Sequence, residues 1–473
     1  MKATNPRTGE ADYEFAVDDP AHIAAEATRL RGLQADWEAA GPQYRGEVLC
    51  RFADAVDAAA GGIIAALSVD TGRQMIAAVE VAGMAANIRR WAARAPQLLD
   101  ELPREATQSS VPGIMIDPLW SAYPLVGAIA PWNFPMILSH IDVVPALAAG
   151  SAALVKPSEV TPRFVEPLRA ALAQVPELPL AYVMGGPEAG QALVQAVDYI
   201  CFTGSTATGR KVAEAAAREL IPANLELGGK DPMIITASAD PDWAAGIALR
   251  SSIISTGQAC QSIERIYVAR EIADAFLEKL VAKAQAVDLT YPDPSQGHLG
   301  PFIFPSQGAK IAEQISSATA QGARILTGGT VEQLGGGTWL RPTVIADVTA
   351  DMDIMRAETF GPVLPVTIFD DVEDAIALAN DSEYGLSGSV LAGSAEEAAK
   401  IGAHLNVGAI SLQDGAMTSM VGDAANESRN LSGLGPSRMG DGGLLRFMRR
   451  QSFIRQTGTA ATIDMFAEGQ GGQ

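Results

Sequence analysis

Apolar and polar positions follow two patterns along the chain. Over 21–99, apolar residues recur every three or four positions in an Ala-rich background, as in VLCRFADAVDAAAGGIIAALSV, which predicts helix. From 122 onward, short apolar runs alternate with helical ones. Strands are expected at 122–130, 152–156, 180–184 and 199–202, and helices at 136–149, 164–174, 189–195 and 206–219. Strand and helix alternating at this interval indicate βαβ units and a parallel sheet. A second alternation begins near Gly229. Its expected strands are 232–236, 265–268, 343–345, 363–369, 387–391 and 408–412; its helices are 243–255, 274–287, 307–321, 372–380 and 395–405. Two weakly alternating segments, 109–117 and 445–456, lie outside both series and could pair as a hairpin-like arm.

Composition narrows the class. A chain of 473 residues is expected to hold two or three domains, at roughly 100–200 residues each. Lys and Arg total 34 against 55 Asp and Glu, a net charge of −21. So acidic a surface repels phosphate backbones and anionic lipid, which argues against nucleic-acid and membrane-surface partners. The N-terminus lacks an apolar run of the kind a secretory signal needs. The uncharged stretch 118–141 contains Pro118, Pro124, Pro131 and Pro135, too many missing helix donors for a membrane span. Three cysteines, Cys50, Cys201 and Cys260, fit a reducing compartment and a cytoplasmic protein. The Gly/Gln-rich end, AEGQGGQ, is expected to be loose.

Six short motifs carry candidate chemistry. FTGSTATG places Gly204, Ser205 and Gly209 where a strand runs into a helix; free N–H groups there suit a phosphate, although an ordinary N-cap gives the same pattern. GQAC ends in Cys260, a possible nucleophile or a buried inert residue. ELGGK sets Glu226 between leucines, an apolar setting that suits a general base; an edge-strand glutamate is the plainer alternative. PWNFP holds Asn133 between bulky residues, as an oxyanion donor or a turn asparagine. KPSE puts Lys156 and Glu159 at a strand's C-terminal end, where ribose hydroxyls are read in α/β sheets. ETFGP, with Glu358, could be an ordinary turn.

In this order and at these spacings, the motifs resemble those of the aldehyde dehydrogenase superfamily over about 21–456. The resemblance implies an α/β fold with a Rossmann-like cofactor domain (1–104 and 122–228), a second α/β catalytic domain (229–432) and a small β oligomerisation arm (105–121 and 444–460). It implies Cys260 as the nucleophile, Glu226 as the base that hydrolyses the thioester, and Asn133 as the oxyanion donor beside the Cys260 N–H. Lys156, Glu159, Gly204, Ser205, Glu358, Phe360 and Trp132 match cofactor-binding positions. A glutamate at 159 favours NAD over NADP, because it accepts from both ribose hydroxyls and repels a 2′-phosphate. No metal is implied; the histidines at 22, 140, 298 and 404 are scattered. A homodimer or homotetramer is expected, since an open β arm has edges for a partner to cover.

The resemblance weakens at 413–432, where SGLG is kept but the preceding loop departs from the family pattern. By position, Leu138, Ile141, Ala259, Gln261 and the 413–417 loop are candidates to line a substrate tunnel. They carry no arginine pair, which favours an uncharged aldehyde over a dicarboxylic semialdehyde. Two rivals stay open: a coenzyme A-acylating relative, and a thiol hydrolase or acyltransferase with no redox step.

Overall fold

The computed structural model describes residues 1–468. The N-terminal helical region is four helices, Pro20–Ala39, Gly41–Ala58, Ala60–Thr71 and Gln74–Asp100. The apolar stripes of the last three, including Val48, Leu49, Phe52, Ile88 and Trp91, close over one face of a sheet in one buried cluster, while the first buries Ile23, Ala27 and Leu30 in another. Among the described residues no single helix is long and apolar enough to cross a membrane; the pair Gly41–Ala58 and Ala60–Thr71 passes only as a unit bent by 66°.

The first sheet has six strands in the order Gly433–Leu434, Ala223–Glu226, Tyr199–Thr203, Leu125–Ile129, Ala152–Lys156 and Leu180–Tyr182. All neighbours are parallel except the Gly433–Leu434 edge. The chain leaves Leu125–Ile129 toward one side and returns to build Tyr199–Thr203 on the other. That reversal opens a crevice beyond the carboxyl ends of these two strands, the usual ligand position in such sheets. The second sheet has seven strands, with Ile263–Ala269 and Asp231–Ile235 near its middle and Arg324–Thr327 as its one antiparallel edge. Both sheets are covered by helices, so most of their strands are near-continuous apolar runs, as in Ala152–Lys156 and Val363–Phe369. This is the α/β architecture the alternation led one to expect.

Several elements differ from their expected bounds for identifiable reasons. The helix expected at 136–149 is two, Pro135–His140 and Val143–Ala149. Pro145 has no N–H for the carbonyl four residues back, so it fits only the first turn of a new helix. The helix expected at 243–255 stops at Ile253, because Ser255 and Thr256 take left-handed backbone conformations. Ala223–Glu226 is a strand the pattern did not reveal, and so are Val331–Leu334 and Gly337–Leu340, a separate hairpin. The arm segments do pair, Ile114–Ala122 with Met448–Gln456, but residues 109–113 form the turn before the strand. Thr107–Gln108 adds a short third strand. Of the C-terminal AEGQGGQ, residues 469–473 lie outside the described residues.

Candidate active site

The crevice gathers most of the expected residues. A cavity of about 230 Å³ is lined by Trp132, Asn133, Gly204, Ser205, Cys260, Glu358 and Phe360, and also by Leu138. Glu226, Lys156 and Glu159 are not part of that lining. Glu226 ends the strand Ala223–Glu226, and Lys156 ends Ala152–Lys156.

Cys260 follows an unusual turn. Ser255, Thr256 and Gly257 have φ of 58°, 61° and 66°. Glycine is required at 257, since a Cβ there would lie 2.3 Å from the Gly361 carbonyl. The turn is bound to Asn133, whose Nδ2 donates to the Gln258 carbonyl at 3.0 Å. Gln258 Oε1 in turn accepts from the Ile303 N–H at 3.0 Å. The amide nitrogen carries two hydrogens, so one N–H of Asn133 stays available to an oxyanion. Burial pushes the Cys260 thiol up to about 12, with Arg438 the leading charge that opposes this.

Two buried residues invisible to motif reading hold this arrangement. The Arg73 guanidinium donates to the carbonyl of Asn133 and, at 3.3 Å, to that of Ser255. It also stands 5.3 Å from the centre of the Phe134 ring. One side chain thus clamps the oxyanion segment to the cysteine turn. Glu80 accepts from the N–H groups of Met136 (3.1 Å) and Ile137 (3.3 Å), satisfying the start of the helix after Asn133. Burial raises its carboxyl to about 7. Neither sits in a short motif; an arginine and a glutamate seven apart at one helix start are common, and only the fold buries them.

Glu226 occupies a polar setting, contrary to the reading from its flanking leucines. Strand alternation turns Leu225 and Leu227 to the opposite face. The carboxylate accepts from Ser428 Oγ at 3.0 Å and lies 3.9 Å from Arg438 Nε. It is paired on both sides in the sheet, with Thr203 and Gly433, and is no exposed edge residue.

The Glu358 turn is fixed from beneath. Glu264 accepts from the N–H groups of Thr359 and Phe360, each at 2.7 Å. Lys230, the lysine of ELGGK, is fully buried and bonds Glu264 at 2.7 Å and Thr359 Oγ1 at 2.9 Å. Phe360 takes φ of 56° and meets Trp132 edge-on, with ring centres 5.4 Å apart. Glu358 Oε1 accepts from the Gly229 N–H at 3.2 Å, and burial beside Glu264 raises its carboxyl to about 7.

A dinucleotide fits the rest of the crevice. Ser205 caps the helix Thr206–Glu219 by accepting from the Thr208 N–H. The next N–H groups of that first turn have no intrahelical acceptor and face an anion's natural position. Lys156 Nζ is held by the carbonyls of Pro157 (3.0 Å) and Gly185 (2.7 Å) and by Glu159 (3.1 Å).

Comparison with known proteins agrees with this geometry. The model of the aldehyde dehydrogenase family matches residues 1–453, and the chain belongs to that family. A Mycolicibacterium smegmatis protein provisionally named succinate-semialdehyde dehydrogenase (NADP(+)) is 36% identical over 453 residues, 94% of this chain and 86% of its own. A solved structure from Anabaena variabilis, provisionally assigned as an aldehyde dehydrogenase, superposes with a TM-score of 0.94 at 46% identity, covering 98% of each chain. Lactaldehyde dehydrogenase from Escherichia coli superposes with a TM-score of 0.90 at 30% identity, covering 96% of this chain and 95% of its own. The chain is accordingly an aldehyde dehydrogenase that oxidises an aldehyde to the acid with NAD(P).

The clamp predicts a specific defect. Arg73→Lys keeps the charge but loses the planar fork that reaches two carbonyls, so kcat should fall about tenfold or more. Steady-state kinetics alongside a thermal melt would check this; unchanged kcat in a folded variant contradicts the clamp.

Proposed function

We propose that this enzyme is an NAD-dependent, hydrolytic aldehyde dehydrogenase in which Cys260 is the nucleophile, Asn133 the oxyanion donor and Glu226 the base. The observation that carries this reading is the convergence of Cys260, Asn133 and Glu358 on one cleft with the start of the helix Thr206–Glu219. Cys260 Sγ attacks the carbonyl carbon as a thiolate, its proton leaving to solvent. The electron pair moves to the carbonyl oxygen, where Asn133 Nδ2 and the Cys260 N–H donate. The bound dinucleotide supplies the hydride acceptor. Covalent capture holds the reacting carbon at a fixed place in the cleft, which removes a translational search from the oxidation step. Glu226 then takes a proton from the water that attacks the thioester, and the Cys260 sulfur leaves with release of the acid.

Glu159 supports NAD. Its carboxylate can accept from both ribose hydroxyls and repels a 2′-phosphate, and the neighbouring Lys156 is already engaged by it and by two carbonyls. The mycobacterial relatives carry NADP(+) in their names, whereas a 26% identical betaine aldehyde dehydrogenase from Staphylococcus aureus was solved with NAD+. For the substrate we propose an uncharged aldehyde, since Leu138, Ile141, Ala259 and Gln261 offer no cation for a second carboxylate.

The division into a cofactor unit (1–104 and 122–228), a catalytic unit (229–432) and an arm (105–121 and 444–460) is supported by the three sheets, whose strands fall almost wholly within those ranges. A homodimer or homotetramer is supported by the arm. It exposes Leu119, Phe453 and Ile454, and its outer strand has an open edge. Unpaired cysteines support a cytoplasmic location.

NADH formation tests the reaction. Wild type should turn over at least one aldehyde, with kcat/KM for NAD at least about tenfold above NADP, and Cys260→Ala should abolish turnover. An active alanine variant would remove Cys260 from the mechanism, and a preference for NADP would overturn the reading of Glu159. A panel in which a carboxylated semialdehyde gives by far the highest kcat/KM would sink the uncharged substrate. Light scattering should show a dimer or tetramer; a monomer would refute the arm's assigned role.

A further inference from the structure

The segment after the divergent loop, 436–440, places one buried cation against the reacting groups. Arg438 is 7% exposed. Its Nη1 donates to Thr203 Oγ1 at 2.8 Å, at the strand end that leads into Gly204. The same nitrogen lies 3.8 Å from Asp142 Oδ2, and Nε lies 3.9 Å from Glu226 Oε1. Asp142 already has a partner: Arg446 bonds its other oxygen, also bonds Asn224, and stacks 4.6 Å from the Phe447 ring centre. The direct pair is Arg446 with Asp142. The second, looser pair is Arg438 with Glu226, and Arg438 stands as near to Asp142.

The spacing in the second pair has a consequence. At 3.9 Å the guanidinium makes no direct hydrogen bond to Glu226, and among the described residues the bond from Ser428 Oγ is the only one on that carboxylate. A hydrogen bond fails within a few tenths of an ångström, whereas a charge attraction decays slowly with distance. A carboxylate held by charge can swing toward a water over Cys260 without losing its counter-ion.

We propose that Arg438 is a positioning residue of this active site: it tethers the Glu226 carboxylate electrostatically. This rests on the roles of Cys260 and Glu226 given above. It also gives the divergent loop and the segment after it a function, because Ser428 comes from the first and Arg438 from the second.

Steady-state kinetics together with intact-mass spectra of acid-quenched turnover mixtures test the inference. Arg438→Gln, which can still donate to Thr203, should lower kcat at least about tenfold while KM changes less than about threefold, and an acyl adduct on Cys260 should build up because an untethered base is slow to activate water. Arg438→Lys should keep kcat within about threefold of wild type with no adduct, since it restores the charge. Arg446→Lys, whose direct bond is to Asp142, should leave both readouts near wild type. A folded Arg438→Gln with wild-type kcat and no adduct overturns the inference. If that variant does not fold, Arg438→Lys decides: turnover near wild type without adduct supports a tether by charge, and a large fall in kcat despite the retained charge overturns it. Turnover by Cys260→Ala would instead indict the underlying mechanism.

Discussion

Three successive left-handed residues before Cys260 set the geometry of the whole site. Ser255 and Thr256 have side chains that disfavour this backbone region, at a cost of about 1–2 kcal/mol each. Such a turn persists only where its surroundings over-determine it. Here they do: Arg73 holds the Ser255 carbonyl, Asn133 holds Gln258, Thr256 Oγ1 bonds the Gly300 carbonyl at 3.1 Å, and Gly257 presses on Gly361. Because Asn133 makes one of these contacts and Arg73 also bonds the Asn133 carbonyl, the strained turn and the donor are positioned by one network. The nucleophile comes from the second sheet and the donor from the first, and the clamp joins them.

Electrostatics act locally against the global trend. A chain of net charge −21 must bind an anionic dinucleotide. The proposed contacts are the backbone donors at the start of the helix Thr206–Glu219 and Lys156, a cation whose charge is already balanced by Glu159. The buried carboxyls of Glu80 and Glu358 are both raised to about 7 by loss of water, so the cleft is less negative than its composition suggests.

Much of the fold was legible because both sheets are parallel and covered by helices, which writes strands as apolar runs and helices as amphipathic ones. Legibility failed where tertiary contacts overrode periodicity. Ala223–Glu226 is too short and too polar at its ends to read as a strand, yet it pairs on both sides. Ser255 continued a helical pattern until the cysteine turn reversed it. At the site, residues in compact motifs were readable: Cys260, Asn133, Gly204, Ser205, Glu358, Phe360 and Trp132 meet in one cavity. Glu226 was found for a reason the structure corrects, since its surroundings are polar. Arg73, Glu80, Ser428 and Arg438 were not readable, because each acts across more than fifty residues of sequence and no spacing links it to its partner.

The account stands most directly on a thioester at Cys260 that Glu226 resolves. Intact-mass spectrometry of Glu226→Gln, mixed with NAD and a turned-over aldehyde and quenched in acid, measures it. The account predicts an acyl adduct on the protein that is lost in Cys260→Ala and does not accumulate on wild type. An unmodified Glu226→Gln protein that turns over as fast as wild type would contradict it.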